Sequence, residues 1–112
     1  MNRYLEPPSA TRADLQIAIT ADDPEQICEC LIGLALGGED PAWLTTVSID
    51  LLRHPSTEVR RAAVTTLGHV ARIHRTIDKE RVVRHLESMA DDPELSGPAS
   101  DALDDIAMFV SS

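Results

Sequence analysis

The sequence predicts an all-α domain, on three observations. Three proline-marked junctions, Asp23-Pro24, His54-Pro55 and Asp92-Pro93, each follow one apolar-periodic segment and precede another. Aligning on the first apolar residue after each proline gives Ile27, Val59 and Leu95, 32 and 36 residues apart. Cys30, Ala62 and Pro98, then Leu31, Ala63 and Ala99, then Ala35, Leu67 and Leu103 occupy matched places. A period of roughly 30–40 residues is the mark of a helical repeat, and apolar residues at three- and four-residue steps describe one buried helix face. Finally, aromatic residues are 3% of the chain, too few to build the strands of a β-sandwich or barrel comfortably. With 112 residues, 43% of them hydrophobic and 26% charged, the chain has the size and core of one domain. That domain is expected over residues 9–112, behind an N-terminal arm of residues 1–8.

Each helix has its own local reasons. The first is expected from about Ser9 to Thr20. Asp23 caps the second, with Pro24 at its first position and Gln26 three residues after the cap, as in a capping box; Gly37-Gly38 ends it. Asp40-Pro41 repeats the device for a helix reaching Arg53, whose stripe is Trp43, Leu44, Val47, Leu51 and Leu52. Ser56 caps a central helix to about His74, with the stripe Val59, Ala63, Leu67, Val70 and Ile73. Asp78 caps the fifth, with Ile77 and Val82 as a hydrophobic staple and Val83, Leu86 and Met89 continuing the stripe. Pro98 cannot sit inside a helix without cost, so Gly97-Pro98 should open the last helix, with a turn or short 3₁₀ segment over 91–97. Six helices in three antiparallel pairs result.

Residues 55–68 go beyond periodicity. Pro55-Ser-Thr-Glu58-Val59-Arg60-Arg61-Ala62-Ala63-Val64-Thr-Thr-Leu67-Gly68 resembles the second-helix motif of HEAT repeats, with Pro, Val, Arg, Ala-Ala and Leu-Gly in register. The flanking repeats match less fully: Gln26-Ile27-Cys28 stands where Glu-Val-Arg would, and Gly97-Pro98 interrupts the third. The resemblance covers about residues 10–110 and implies a short right-handed α-solenoid whose repeats bury their faces against one another. The ending Ala102-Leu103-Asp104-Asp105-Ile106-Ala107-Met108-Phe109 is similar to small bacterial HEAT-like proteins, some of which resemble immunity proteins that bind and block a partner toxin.

No catalytic, metal or cofactor constellation has a defining spacing. Cys28 and Cys30 sit about 200° apart on a helix, so they cannot bridge, and no further metal ligands accompany them. His54, His69, His74 and His85, spaced 15, 5 and 11, do not place three on one face and read as solvated or edge residues. Of the carboxylate pairs Asp22-Asp23, Glu39-Asp40, Asp91-Asp92 and Asp104-Asp105, the first three precede helices and suit capping. The beginning carries no secretory signal and no apolar run long enough to span a bilayer, so a cytoplasmic location is expected.

Charge is the remaining clue. The net value is −9, with 10 basic against 19 acidic residues, which disfavours nucleic acid and anionic membrane as partners. Residues 1–52 hold 9 acids and 2 bases, 53–85 hold 3 acids and 8 bases, and 86–112 hold 7 acids and no base. The sums are −7, +5 and −7, which softens the case against nucleic acid in the middle. Asp101, Asp104, Asp105 and Met108 share one sector of the last helix, either a solvated face or a contact surface for a basic partner. Arg61, Arg72 and Arg75 share an outer sector of the central helix. In HEAT-type stacking, Glu25 and Glu29 would flank that row on one side and the Asp101/104/105 row on the other. This arrangement is either an inter-repeat ion-pair ladder or a striped surface that steers a charged partner. Arg60 is assigned to bracing the turn before its helix and Trp43 to the core, while Tyr4 either packs on the first repeat or joins a contact.

The expected function is therefore non-catalytic protein binding, as a monomer or 1:1 heterocomplex, without metal or cofactor. The foremost candidate is an immunity protein that neutralises a basic, nuclease-type toxin through the acidic surface. The alternatives are a scaffold or regulatory adaptor, and an enzyme of HEAT-like build such as a DNA glycosylase or phycobilin lyase, for which Arg61, Arg72, Arg75, Arg81 and Arg84 would supply the basic cleft.

Overall fold

A computed structural model describes residues 10–111; Tyr4 and the whole of the expected N-terminal arm of residues 1–8 lie outside them. Among the described residues there are six α-helices and no strand. They are α1 (Arg12–Thr20), α2 (Pro24–Leu36), α3 (Pro41–Leu51), α4 (Thr57–His74), α5 (Lys79–Glu87) and α6 (Ser96–Phe109).

Side-chain capping opens five of the six. Asp23, Asp40, Ser56 and Asp78 each accept a backbone N–H from the first turn of their helices, which satisfies donors that have no intrahelical partner. α1 starts at Arg12, where Thr11 and Asp14 form a complete capping box; the expected start at Ser9 lies outside the described residues. α2 ends with Gly38 at φ 81, and the Glu39 N–H donates to the Leu34 carbonyl; this left-handed turn favours glycine. α3 stops at Leu51, short of Arg53, since His54 precedes Pro55 and that position disfavours helical backbone. α6 begins at Ser96, which leaves Pro98 inside the first turn, where a missing N–H costs nothing.

The helices pack as neighbours in sequence and in alternation. α1 lies on α2, α3 on α4 and α5 on α6, while α4 also packs along α2 and along α6. Arg61, Arg72 and Arg75 meet Glu94, Asp105 and Phe109 in that order, so α4 and the segment ending in α6 run parallel. Cys28 donates its thiol to the Glu58 carbonyl, which sets the first turns of α2 and α4 level. The molecule measures 44 × 30 × 22 Å.

Burial corrects the sequence in two places. On α4 the hidden arc includes Val64, Thr66, Gly68 and Ala71, whereas Ile73 is 44% exposed. α4 has 18 residues and α2 has 13, so Ile73 lies in a last turn that extends past the end of α2. On α3 the buried face is Leu44, Thr45, Ser48 and Leu51, and the expected Trp43 and Val47 are half-buried at its margin. Trp43 lies under the Arg12 guanidinium, 4.6 Å from the ring centroid. Arg12 also donates twice to Glu39 Oε2, at 2.7 and 3.0 Å, so one arginine clamps α1 to the α2–α3 turn. Arg60 donates to the His54 and Pro55 carbonyls and to Thr57 Oγ1, bracing the turn before α4.

The seam between α4 and α6 is unusually close. A Cβ on Gly68 would stand 3.3 Å from Ala102 Cα and 3.0 Å from Asp105 Oδ2. Gly68→Leu should therefore force the two helices apart and destabilise the fold by about 1–3 kcal/mol, whereas Gly97→Ala meets no atom within 4 Å and should be tolerated. Leu67→Ala, at a side chain with no exposure, should cost about 2–5 kcal/mol in chemical denaturation.

Candidate functional site

The chemistry-bearing side chains collect along the α4–α6 seam. A cleft of about 410 Å³ elsewhere, between α1 and α2, holds Asp14, Asp23 and Glu29. The seam has its own cleft of about 390 Å³, lined by Thr65, Gly68, His69, Arg72, Asp101 and Asp105 with Gly97 and Pro98 at one end. Helical geometry produces this grouping: His69 and Arg72 are three apart on α4, and Asp101 and Asp105 four apart on α6.

The arginine row is spent on these internal contacts. Arg61 Nη2 lies 3.3 Å from Glu94 Oε2, and Arg72 Nη1 lies 3.7 Å from Asp105 Oδ2. Arg75, in left-handed backbone at φ 56, stands over the Phe109 ring at 5.4 Å. The expected ladder is thus one-sided. It ties α4 to α6 and to the turn before α6, and neither Glu25 nor Glu29 joins it. Glu29 instead accepts from the Gln26 side chain and faces the α1–α2 cleft. Parallel packing explains the preference: the glycine-lined α4–α6 seam brings the arginine heads within reach of α6.

The acidic stripe of α6 divides in the same way. Asp105 is half-buried and committed to Arg72. Asp101 and Asp104 are exposed and, among the described residues, make no ion pair; neither do Glu25 and Glu29. Asp101 opens into the seam cleft and Asp104 lies outside it. Met108 is 74% exposed.

His69, which the sequence places only at an edge, is half-buried and central to the seam. Burial holds its pKa below the ordinary histidine value, the Arg72 charge lowers it further, and Asp105 opposes both. A neutral ring accepts at Nδ1 from Arg72 Nη2, which places the ring proton on Nε2. The one signal for this cluster in the sequence is the near-constant offset of 33 between Arg61 and Glu94 and between Arg72 and Asp105.

Among the described residues no group of three or more His, Cys, Asp or Glu is placed to hold a metal ion. Burial raises both thiol pKa values, and neither Cys28 nor Cys30 is disulfide-bonded. All four histidines are half-buried instead of solvated. His54 accepts the Ser56 N–H at Nδ1 and approaches Asp22 through Nε2, fastening the α3–α4 turn to the α1–α2 turn. Asp23 and Asp40 cap helices, Glu39 pairs with Arg12, and Asp92 accepts from the Glu94 and Leu95 N–H groups, so the first three carboxylate pairs contribute structure. No described helix is long and apolar enough to cross a membrane.

No protein-family model matches the chain, and no curated protein matches it. Among solved structures it is similar to a chain of the "Crystal structure of CDI complex from Cupriavidus taiwanensis LMG 19424". That likeness has a TM-score of 0.82 and 28% sequence identity, and it covers 97% of this chain and 96% of the other.

A pH titration tests the seam. Because the folded pKa of His69 is depressed, the unfolded chain binds the proton first as pH falls below about 6.5. Stability contributed by neutral His69 is complete above that value and is lost as pH drops through the folded pKa. His69→Asn should show a flatter stability–pH profile than the parent in this window, in melts followed by circular dichroism.

Proposed function

We propose that this chain is a short HEAT-like α-solenoid acting as the immunity member of a toxin–immunity pair. In this reading it is non-catalytic and binds a basic, nuclease-type toxin domain 1:1 in the cytoplasm. The observation that carries the reading is the likeness, nearly end to end in both chains, to a component of a contact-dependent inhibition complex. Such complexes join a toxin to the protein that neutralises it, and the acidic composition here suits the neutralising part.

The electrostatics say how binding would work. The basic middle of the sequence is largely consumed within the fold, since Arg61, Arg72 and Arg75 contact α6 and the turn before it, Arg60 braces the turn before α4, and Arg81 and Arg84 pair with Asp78 and Glu80. Asp101 and Asp104 on α6, and Glu25 on α2, make no ion pair among the described residues and so keep their charge for a partner. A nuclease site is built to hold phosphates, so carboxylates on a rigid helix can take their place. The resulting field also accelerates capture in a salt-dependent way. Such a surface repels duplex nucleic acid.

Co-expression with the neighbouring reading frame in the native host is expected to rescue growth that the neighbour alone arrests. Tagged purification at low and moderate salt should recover a basic partner that salt releases. The double substitution Asp101→Lys/Asp104→Lys, at exposed sites without structural partners, should weaken that complex about tenfold or more and flatten its salt dependence. Unchanged affinity and salt slope would remove the α6 surface from the reading, and tight duplex binding at physiological salt would favour an enzyme acting on nucleic acid instead.

A further inference from the structure

Resting on the toxin-binding reading above, the geometry points to a partner surface of mixed character: a cationic patch adjoining an apolar one, laid along the parallel helices α2, α4 and α6 in a fixed direction. The observation is where the exposed large hydrophobic side chains fall. Among the described residues there are five, Ile17, Ile32, Leu36, Ile73 and Met108, and four of them lie in the C-terminal halves of α2, α4 and α6. α3 and α5 carry none. A single exposed leucine or isoleucine needs no explanation, but their sorting to one end of three neighbouring helices does.

The helices are arranged so that this sorting matters. α4 runs parallel to α6, and the first turns of α2 and α4 are level, so the last turns of all three point the same way. On α2 one outer sector carries, in order, Glu25, Glu29, Ile32 and Leu36, all within about 60° of arc at 100° per residue, while the exposed Gln26 lies outside it on the α1 side. On α6 one outer sector carries Asp101, Asp104 and Met108, again within about 60°, with the exposed Ser100 and Ala107 outside it. Each outer strip thus passes from carboxylates at its beginning to apolar side chains at its end. Ile73 supplies the apolar end of α4 because that helix outruns α2. Leu36 is 48% exposed in the final position of its helix and Met108 is 74% exposed one residue before the end of its own.

Charge complementarity and apolar area together select the occupant. A nucleic acid would present phosphates to the carboxylates and gains little from an isoleucine–leucine edge. A second copy of this chain, at net −9, would set acid against acid. A basic protein with an apolar rim satisfies both halves at once. The carboxylate end then governs the rate of encounter, and the apolar end governs how long the complex lasts.

Neutral, helix-compatible substitutions separate the two. Leu36→Gln, Ile73→Gln and Met108→Gln leave the net charge unchanged and sit at exposed positions; circular dichroism melts should confirm an intact fold. The probe is the polypeptide encoded beside this chain's gene, purified in the co-expressed complex and measured by surface plasmon resonance across a salt series. The expected result is a dissociation rate raised about tenfold by the combined triple variant, with association rate and salt slope kept. Asp101→Lys/Asp104→Lys should give the reverse pattern, a slower association and a flatter salt slope. If the charge variant weakens binding while the triple glutamine variant dissociates like the parent, this inference is overturned and the toxin-binding reading stands. If neither variant alters the complex, the inference falls and the toxin-binding reading moves to another surface; if the neighbouring polypeptide does not bind, both fall. Concentration-dependent self-association lost in the glutamine variant would identify a second copy as the occupant instead.

Discussion

Every other part of the structure depends on how α4 is enclosed. No helix of this length holds its shape in water by propensity alone, and a pair of helices leaves one apolar face of each uncovered. α4 meets that constraint by presenting a buried arc wide enough for three neighbours, α2, α3 and α6. Val59, Ala63, Leu67 and Val70 form its floor, and Val64, Gly68 and Ala71 extend it sideways. The lateral extension rests on small residues. With hydrogen at position 68 and methyl at position 102, α6 approaches until its carboxylates and the α4 arginines share one cleft.

That close approach decides the electrostatics. The chain alternates −7, +5 and −7, and an arginine row between two acidic rows would be shared equally if the seams on either side were equally tight. They are not. The α4–α6 seam takes the arginines, through Glu94, Asp105 and the face of Phe109, and the α2 carboxylates are left outside the exchange. Exposed pairs of this kind each contribute only about 0–1 kcal/mol. Their larger effect is on what remains: Asp101 and Asp104 on α6 and Glu25 on α2 stay, with Asp50, Glu58, Glu87 and Asp91, among the exposed acids that make no ion pair among the described residues. The internal pairing ties Arg72 to His69 and Asp105 along the same cleft that Asp101 lines.

Much of the architecture was legible because it is written in local chemistry. A carboxylate or hydroxyl followed by proline or a free turn marks a helix start wherever it occurs, so Asp23, Asp40, Ser56 and Asp78 placed four helices without reference to anything distant. Boundaries moved only where a local rule was missed or weighted wrongly: the Thr11–Asp14 capping box opens α1 at Arg12, and His54-Pro55 cuts α3 back to Leu51. The side-chain roles of Asp101, Asp104, Asp105 and Met108 were legible only as a sector. Periodicity assigns residues to a face and is silent on which of them a neighbouring helix will reach.

The sequence by itself therefore determined the helical content, four of the caps, the repeat spacing and the segregation of charge, each of which is set within a turn or two of chain. Tertiary structure alone decided that Arg72 belongs to Asp105 and His69, that Glu29 faces α1, that Thr45 and Ser48 displace Trp43 and Val47 from the α3 core face, and that Ile73 remains exposed. The reason is the same in each case. These outcomes depend on the distance and length of a neighbouring helix, and that distance is fixed by the bulk of residues far away in the chain, above all by the absence of a side chain at Gly68.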